Sequence, residues 1–518
     1  VGSFKTCAFG LWPLFSGDCE GDGLNSSDQT NDWVASTNSG STRGDLHSDG
    51  GAKAAPRRVL TLLDCSCLIV GTIIGAGIFQ MPALVAANVP NVFWFLGVWI
   101  LGGLIALIGA LCFAELTTTY PDRGGDYGYL KRAYHHRVGF AFSWAAFWVI
   151  RPGNIAAMAM IFGEFAIQVM PQTLSSPAFA KISVLVITAT NLLGVTFGKT
   201  TQNVLTIAKV LGILVVVVAA MSFSGPAQNA SVPGETGATE EVAVVSVEIA
   251  EANEPAWNLW LAMVFVMFTF GGWNDISFVA TEVQQPEKNL LRSLLLGVLG
   301  VLAIYLLVNF ALVFSLGFET MASLGADLKN PKNPTSVLVE QNMGARGLKL
   351  LAILVCVSCL GAINAMIFTS PRIYWATAQD FPALRWLAGS AEQRSGWWRA
   401  MLLQGAVTML FVVTFGTKGS GIENVVSATA PYFWLFLSLT VIGLMVCRIR
   451  YRQQFAGFRV PFYPVLPLIF VAACWFMVYQ AWSHTLAQDL WVASLMIGGW
   501  VLVGLGFSFA LSVAPVVR

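Results

Sequence analysis

Two short stretches of an otherwise apolar chain carry residue types whose spacing could do chemistry. One is GTIIGAGIFQMP at 71–82, the other FTFGGWNDI at 268–276. Neither sets a nucleophile beside a base or offers metal-ligand spacing, so the chemistry is recognition rather than bond making. Glycines at these positions would interrupt a helix, and inside lipid every freed backbone group must find a partner. Freed N–H groups near Gly75, Ala76 and Gly77, at the start of a second half-helix, would attract a carboxylate. Freed carbonyls on Phe270 and Gly271 would suit an ammonium. Together they describe a site for a zwitterionic α-amino acid. Close helix packing is the alternative reason for such glycines.

The elements that must position these groups are membrane spans. The 518 residues are 56% hydrophobic and 11% charged, with mean hydropathy +0.68; soluble chains carry roughly 25% charged residues. Runs of about 20 apolar residues cross a bilayer as helix. The pattern predicts twelve of them, including a first at 60–86, a fourth at 182–198, a fifth at 202–224 and a sixth at 257–282. With the N-terminus placed in the cytoplasm, 19 Lys and Arg fall in inner segments and six in outer ones, which sets both termini inside. Residues 1–56, rich in Gly, Ser, Asn and Asp, read as a disordered cytoplasmic tail. Residues 225–256, with six glutamates and no Lys or Arg, read as an acidic outer loop. Nothing suggests nucleic acid. The nine cysteines and four histidines form no metal set, and no cofactor is expected.

The two interrupted spans open two blocks of five, 57–224 and 257–447, that enter the membrane from opposite sides; 448–518 adds two more spans. Paired broken helices in inverted halves point to a secondary transporter's substrate site.

The stretches GTIIGAGIF and FTFGGWNDISFVATEVQQPEKNLLRSL, with FAELTTTYPDRGGDYGYL, RPGNIAAMAMIFGEF, GAINAMIFTSPRIYWATAQD and FRVPFYPVLPLIFV, resemble the amino acid–polyamine–organocation superfamily, in particular its L-type amino-acid transporter branch. The resemblance implies an all-α, twelve-span membrane fold of five-plus-five inverted repeats and two added helices, with helices one and six unwound at mid-membrane. It implies alternating-access transport, and it places substrate at Ile73, Ile74, Gly75, Ala76, Gly77, Phe268, Phe270, Gly271, Gly272, Trp273 and Asn274. Phe268 would gate from outside. Ala76 stands where many relatives have Ser, so backbone amides must suffice there. Lys209, about 12 Å along its span by helix rise, matches a lysine that replaces a sodium ion in sodium-independent relatives and could take part in proton coupling; otherwise it snorkels to the interface. Asp275, neutral in many L-type members, either favours cationic substrates or forms an inner-gate ion pair. Arg151 would pair with Glu164 or a carbonyl, and Glu115, Asp64 and Glu282 read as cytoplasmic gate charges. The loop after span three, PQTLSSPAFAK, lacks the cysteine that ties animal relatives to a glycoprotein, so no disulfide-linked heavy chain is expected.

The resulting expectation is a plasma-membrane (inner-membrane) permease, not an enzyme, that moves amino acids, neutral ones by the character of Ala76 and Phe268, without sodium, by proton symport or exchange. The alternatives are an amino-acid sensor on the same fold, or a carrier of cationic amino acids or polyamines.

Overall fold

The computed structural model describes residues 58–121, 124–170, 174–222, 258–326, 333–388, 397–416, 421–451, 457–487 and 491–511. The tail 1–56 and the loop 225–256 lie outside the described residues. Every regular element described is helical; pairing of extended backbone is confined to one isolated bridge between Leu60 and Val283.

The chain enters helix α1 (Leu62–Ile73) through a capping box in which Thr61 and Asp64 satisfy each other's backbone N–H. Ile74 leaves the helical region, and α2 (Gly77–Ala86) resumes at an axis bent by 48°. Next come α3 (Val92–Thr119), the short α4 (Asp126–Ala133) and α5 (His136–Ala145). A π-helical turn, Ala146–Ile150, precedes α6 (Arg151–Val169). Pro152 has no N–H to give the preceding turn, which accounts for the local widening there. Helix α7 (Ser176–Leu192) turns at Gly194, φ +118°, into α8 (Val195–Ser222). The span boundary therefore falls at 193–194 rather than near Lys199, because the left-handed glycine makes the turn while Lys199 is already helical.

Helix α9 (Leu259–Thr269) stops at Phe270, and the span continues as a 3-10 helix, Trp273–Glu282. The chain then forms α10 (Pro286–Leu316), α11 (Phe318–Gly325), α12 (Pro334–Thr369, bent at Gly344), α13 (Pro371–Asp380) and α14 (Arg385–Ala388). Helices α15 (Trp397–Phe415), α16 (Gly421–Arg450), α17 (Val465–Ala487) and α18 (Trp491–Ala510) complete it. Among the described residues nine helices are long and apolar enough to cross a membrane, ten with the bent α1–α2 pair.

Helix α8 shows how these spans are sided. Gln202, Thr206, Lys209, Ile213 and Val217 recur every three or four residues and are buried, whereas Val204, Ile207, Leu211, Val215 and Val218 are exposed. The polar stripe faces protein and the apolar one faces outward, as a lipid solvent demands. Asn364 of α12 fixes α7 and α8 against it: its amide donates to Gly198 O (3.1 Å) and Gln202 Oε1 (2.8 Å), and its oxygen accepts from Asn191 (2.8 Å).

Candidate functional site

The two helix breaks meet. Gly272 has φ +107°, a conformation that favours glycine, and a Cβ there would come within 3.2 Å of the Thr72 carbonyl oxygen. The hydroxyl of Tyr305, in α10, lies 3.2 Å from the carbonyls of both Ile73 and Thr269, the last residues of α1 and α9. Its single proton serves the two half-helix ends alternately, and its ring is held by Trp99 and Phe270.

At the first break most carbonyls have found donors. Ile73 O accepts from Gly75 N–H (2.9 Å). Ile74 O accepts from the Lys209 ammonium (2.7 Å), and the Ser358 hydroxyl is within reach of Ile74 O and Gly75 O. Lys209 also donates to Gly71 O (3.1 Å) and Ser358 O (3.0 Å). All three ammonium protons are thus placed, on carbonyls alone, and the side chain is fully buried. The Nζ sits so close to Gly361 that a Cβ on that residue would lie 2.8 Å away. The carbonyls near the end of α1 are supplied with donors, but the N–H groups of Ala76 and Gly77 reach no backbone acceptor among the described residues. At the second break the carbonyls of Phe270 and Gly271 accept no backbone hydrogen bond among the described residues. The first break thus leaves donors without a backbone partner and the second leaves acceptors, among the described residues.

Between them lies a cavity of about 140 Å³ lined by Ile73, Gly75, Ala76, Gly77, Phe268, Gly271 and Gly272 from the breaks. Helix α6 adds Arg151, Asn154 and Met158; α12 adds Ala362 and Met366; α16 adds Thr429, Phe433 and Trp434. Asp275 contributes the floor, where both its oxygens bind the Arg151 guanidinium (2.6 and 2.8 Å) and one also accepts from Thr369 (3.2 Å).

Beyond that floor the bundle is strapped shut. Val59 and Leu60 N–H donate to Glu282 O, and Gln284 N–H to Leu60 O. Lys199 and Asn203 bind Asp64, Arg372 binds both oxygens of Glu282, and Arg448 forks onto Glu115.

A family model described as amino acid permease matches residues 60–504. The chain belongs to the amino acid permease family. It is a membrane permease that moves amino acids by secondary active transport, not an enzyme. Mouse b(0,+)-type amino acid transporter 1 is 27% identical over 430 residues, covering 80% of this chain and 81% of the relative. Mouse large neutral amino acids transporter small subunit 2 is 28% identical over 459 residues, with 87% and 81% covered. The serine/threonine exchanger SteT of Bacillus subtilis is 26% identical over 452 residues, with 87% and 95% covered.

Several of the permease's residues sit differently from the expectation. The Gly75 amide is not free, because it closes a tight turn onto Ile73 O. Ile74, Phe270, Trp273 and Asn274 do not line the cavity: Ile74 presents its carbonyl to Lys209, Phe270 and Trp273 pack on aromatic neighbours, and Asn274 donates to Asp126 at 3.4 Å. Arg151 pairs with Asp275, not Glu164, which is exposed. Lys209 lies farther along its helix than 12 Å. Helix α8 begins at Val195, which puts Lys209 about 21 Å from the start of its helix by helix rise, and its ammonium is held on buried carbonyls. Asn154, Met158, Thr429 and Trp434 escaped the sequence reading; an Asn one turn after Arg151 in an apolar span was the available signal.

Proposed function

We propose that this permease binds a neutral α-amino acid across the two breaks, its carboxylate on the amides of Ala76 and Gly77 and its ammonium on the carbonyl of Gly271. The observation that carries this reading is that Ala76, Gly77 and Gly271, whose amides and carbonyl have no backbone partner among the described residues, line one cavity. The volume, about 140 Å³, is many times the roughly 10–15 Å³ that one water needs by the same kind of measure. Apolar walls from Met158, Met366 and Phe433 suit an uncharged side chain. Phe268, 38% exposed at the cavity rim, is the outer gate, and Asp275 with the Glu115, Asp64 and Glu282 pairs is the inner one.

Sodium independence follows from Lys209, whose ammonium already occupies the carbonyl cluster that a cation would use. The names of the mouse and Bacillus relatives, a large neutral amino acids transporter and an exchanger, support neutral substrates and exchange. The broader frame of the proposal is twelve spans, with α7 and α18 as the shorter ones, arranged as inverted repeats 57–224 and 257–447 plus 448–518. Both termini are cytoplasmic, and the membrane is the plasma membrane.

Counterflow in sodium-free proteoliposomes with a panel of labelled amino acids tests it. Neutral substrates should accumulate only when the trans side holds substrate. Saturable binding without flux would favour a sensor, and dependence on a proton gradient would replace exchange with symport.

A further inference from the structure

The cavity floor is the part of the site that the backbone chemistry leaves unexplained. Among the residues lining the cavity, Arg151 and Asp275 are the charged ones. They form a bidentate pair whose side chains are 7% and 4% exposed. The Asp275 carboxylate accepts from two guanidinium donors and the Thr369 hydroxyl, and the guanidinium is backed by the Phe278 ring at 4.8 Å. Asp126 stands behind Asn274, whose amide it accepts, and does not line the cavity. The bidentate geometry commits each partner to the other, and their charges cancel.

The α-amino and α-carboxyl groups of a substrate are served by the breaks, so the floor meets the side chain. We infer that the Arg151–Asp275 pair is the charge-selectivity element of the permease. By neutralising itself it leaves a charged substrate side chain with a desolvation cost and no counter-charge, so that charged amino acids are rejected on both signs. The inference rests on the substrate site proposed above. It carries an unusual consequence: each half of the pair, once unmasked, should select the opposite kind of substrate.

The test uses matched side chains, glutamine against glutamate and norleucine against lysine, in counterflow and competition with full-length protein in proteoliposomes. The wild type should prefer each neutral member by about tenfold or more. In Asp275→Asn the unmasked guanidinium should raise the glutamate-to-glutamine ratio by about tenfold and leave lysine excluded. Arg151→Gln should raise the lysine-to-norleucine ratio instead and leave glutamate excluded. The double variant should return to neutral preference. Total uptake is expected to fall in all three, so the ratios are the readout, with monodispersity in detergent checking folding.

Equal handling of charged and neutral members by the wild type would overturn the inference even if no variant folds. So would variants that lose uptake with unchanged ratios, which would mark the pair as a purely structural latch. Absence of counterflow for glutamine and norleucine in the wild type would refute the underlying substrate site instead.

Discussion

Replacing Lys209 by Met keeps the length of the aliphatic stem in α8 and removes three donors. A hydrogen bond from a charged donor contributes about 1.5–3 kcal/mol, but the losses here do not simply add. Ser358 O lies inside α12, where helical bonding remains, and Ile74 O keeps the Ser358 hydroxyl. Gly71 O has no substitute, because the Gly75 N–H that would serve it in a continuous helix is turned to Ile73 O. One orphaned buried carbonyl costs about 1–3 kcal/mol, and with the weakened contact at Ile74 the total comes to about 3 kcal/mol. That is about two orders of magnitude in the population of the intact break. Initial uptake into proteoliposomes should fall ten- to a hundredfold, roughly in line with that population, and its pH dependence should flatten if the coupled proton passes through this ammonium. Gly361→Ala, which forces the ammonium to shift, should reproduce part of the loss. Wild-type uptake by Lys209→Met at every pH would show that the ammonium does not hold the break together.

Three further outcomes follow from the same geometry. Gly272→Ala should destabilise the protein by about 1–2 kcal/mol or more, from the left-handed φ together with contact on Thr72. Gly271→Ala, whose new Cβ meets only Phe268 O at 3.4 Å, should keep thermal stability but lose uptake; equal melting temperatures for the two variants would contradict the contrast. Phe268→Ala should reduce transport strongly with normal membrane insertion, and an unchanged rate per inserted molecule would remove its gate assignment. Asp126 lies in α4, between spans, where burial pushes its carboxyl up from 3.8 to about 7. The folded protein therefore holds a proton that the unfolded chain has already lost, so stability falls as pH rises from about 4 to about 7. Asp126→Asn lacks that slope: melting curves at pH 5 and 7.5 should show the wild type losing ground to the variant at the higher pH, and a constant difference would refute the buried proton.

How much of this was legible in the sequence divides along a physical line. The breaks at 71–77 and 268–274 were visible because backbone satisfaction in lipid is a local constraint, and glycine clusters violate it wherever they occur. The turn between α7 and α8 was hidden, since LLGVTF runs apolar through Gly194 while Lys199, five residues further on, attracts the boundary. In the fold that lysine reaches back to Val59 O and Asp64, so its charge marks no chain end.

Side-chain direction after Gly272 was equally out of reach, because the motif does not reveal that the span resumes as a 3-10 helix. That winding turns Asp275 into the cavity and Trp273 away from it. Arg151 is the instructive case. Glu164 sits 13 residues along the same helix, about 20 Å by helix rise, which already puts it beyond the reach of a guanidinium. The true partner is 124 residues away. Local constraint could therefore exclude the wrong partner for Arg151, but only tertiary packing, by bringing α6 against the broken sixth span, supplies the right one.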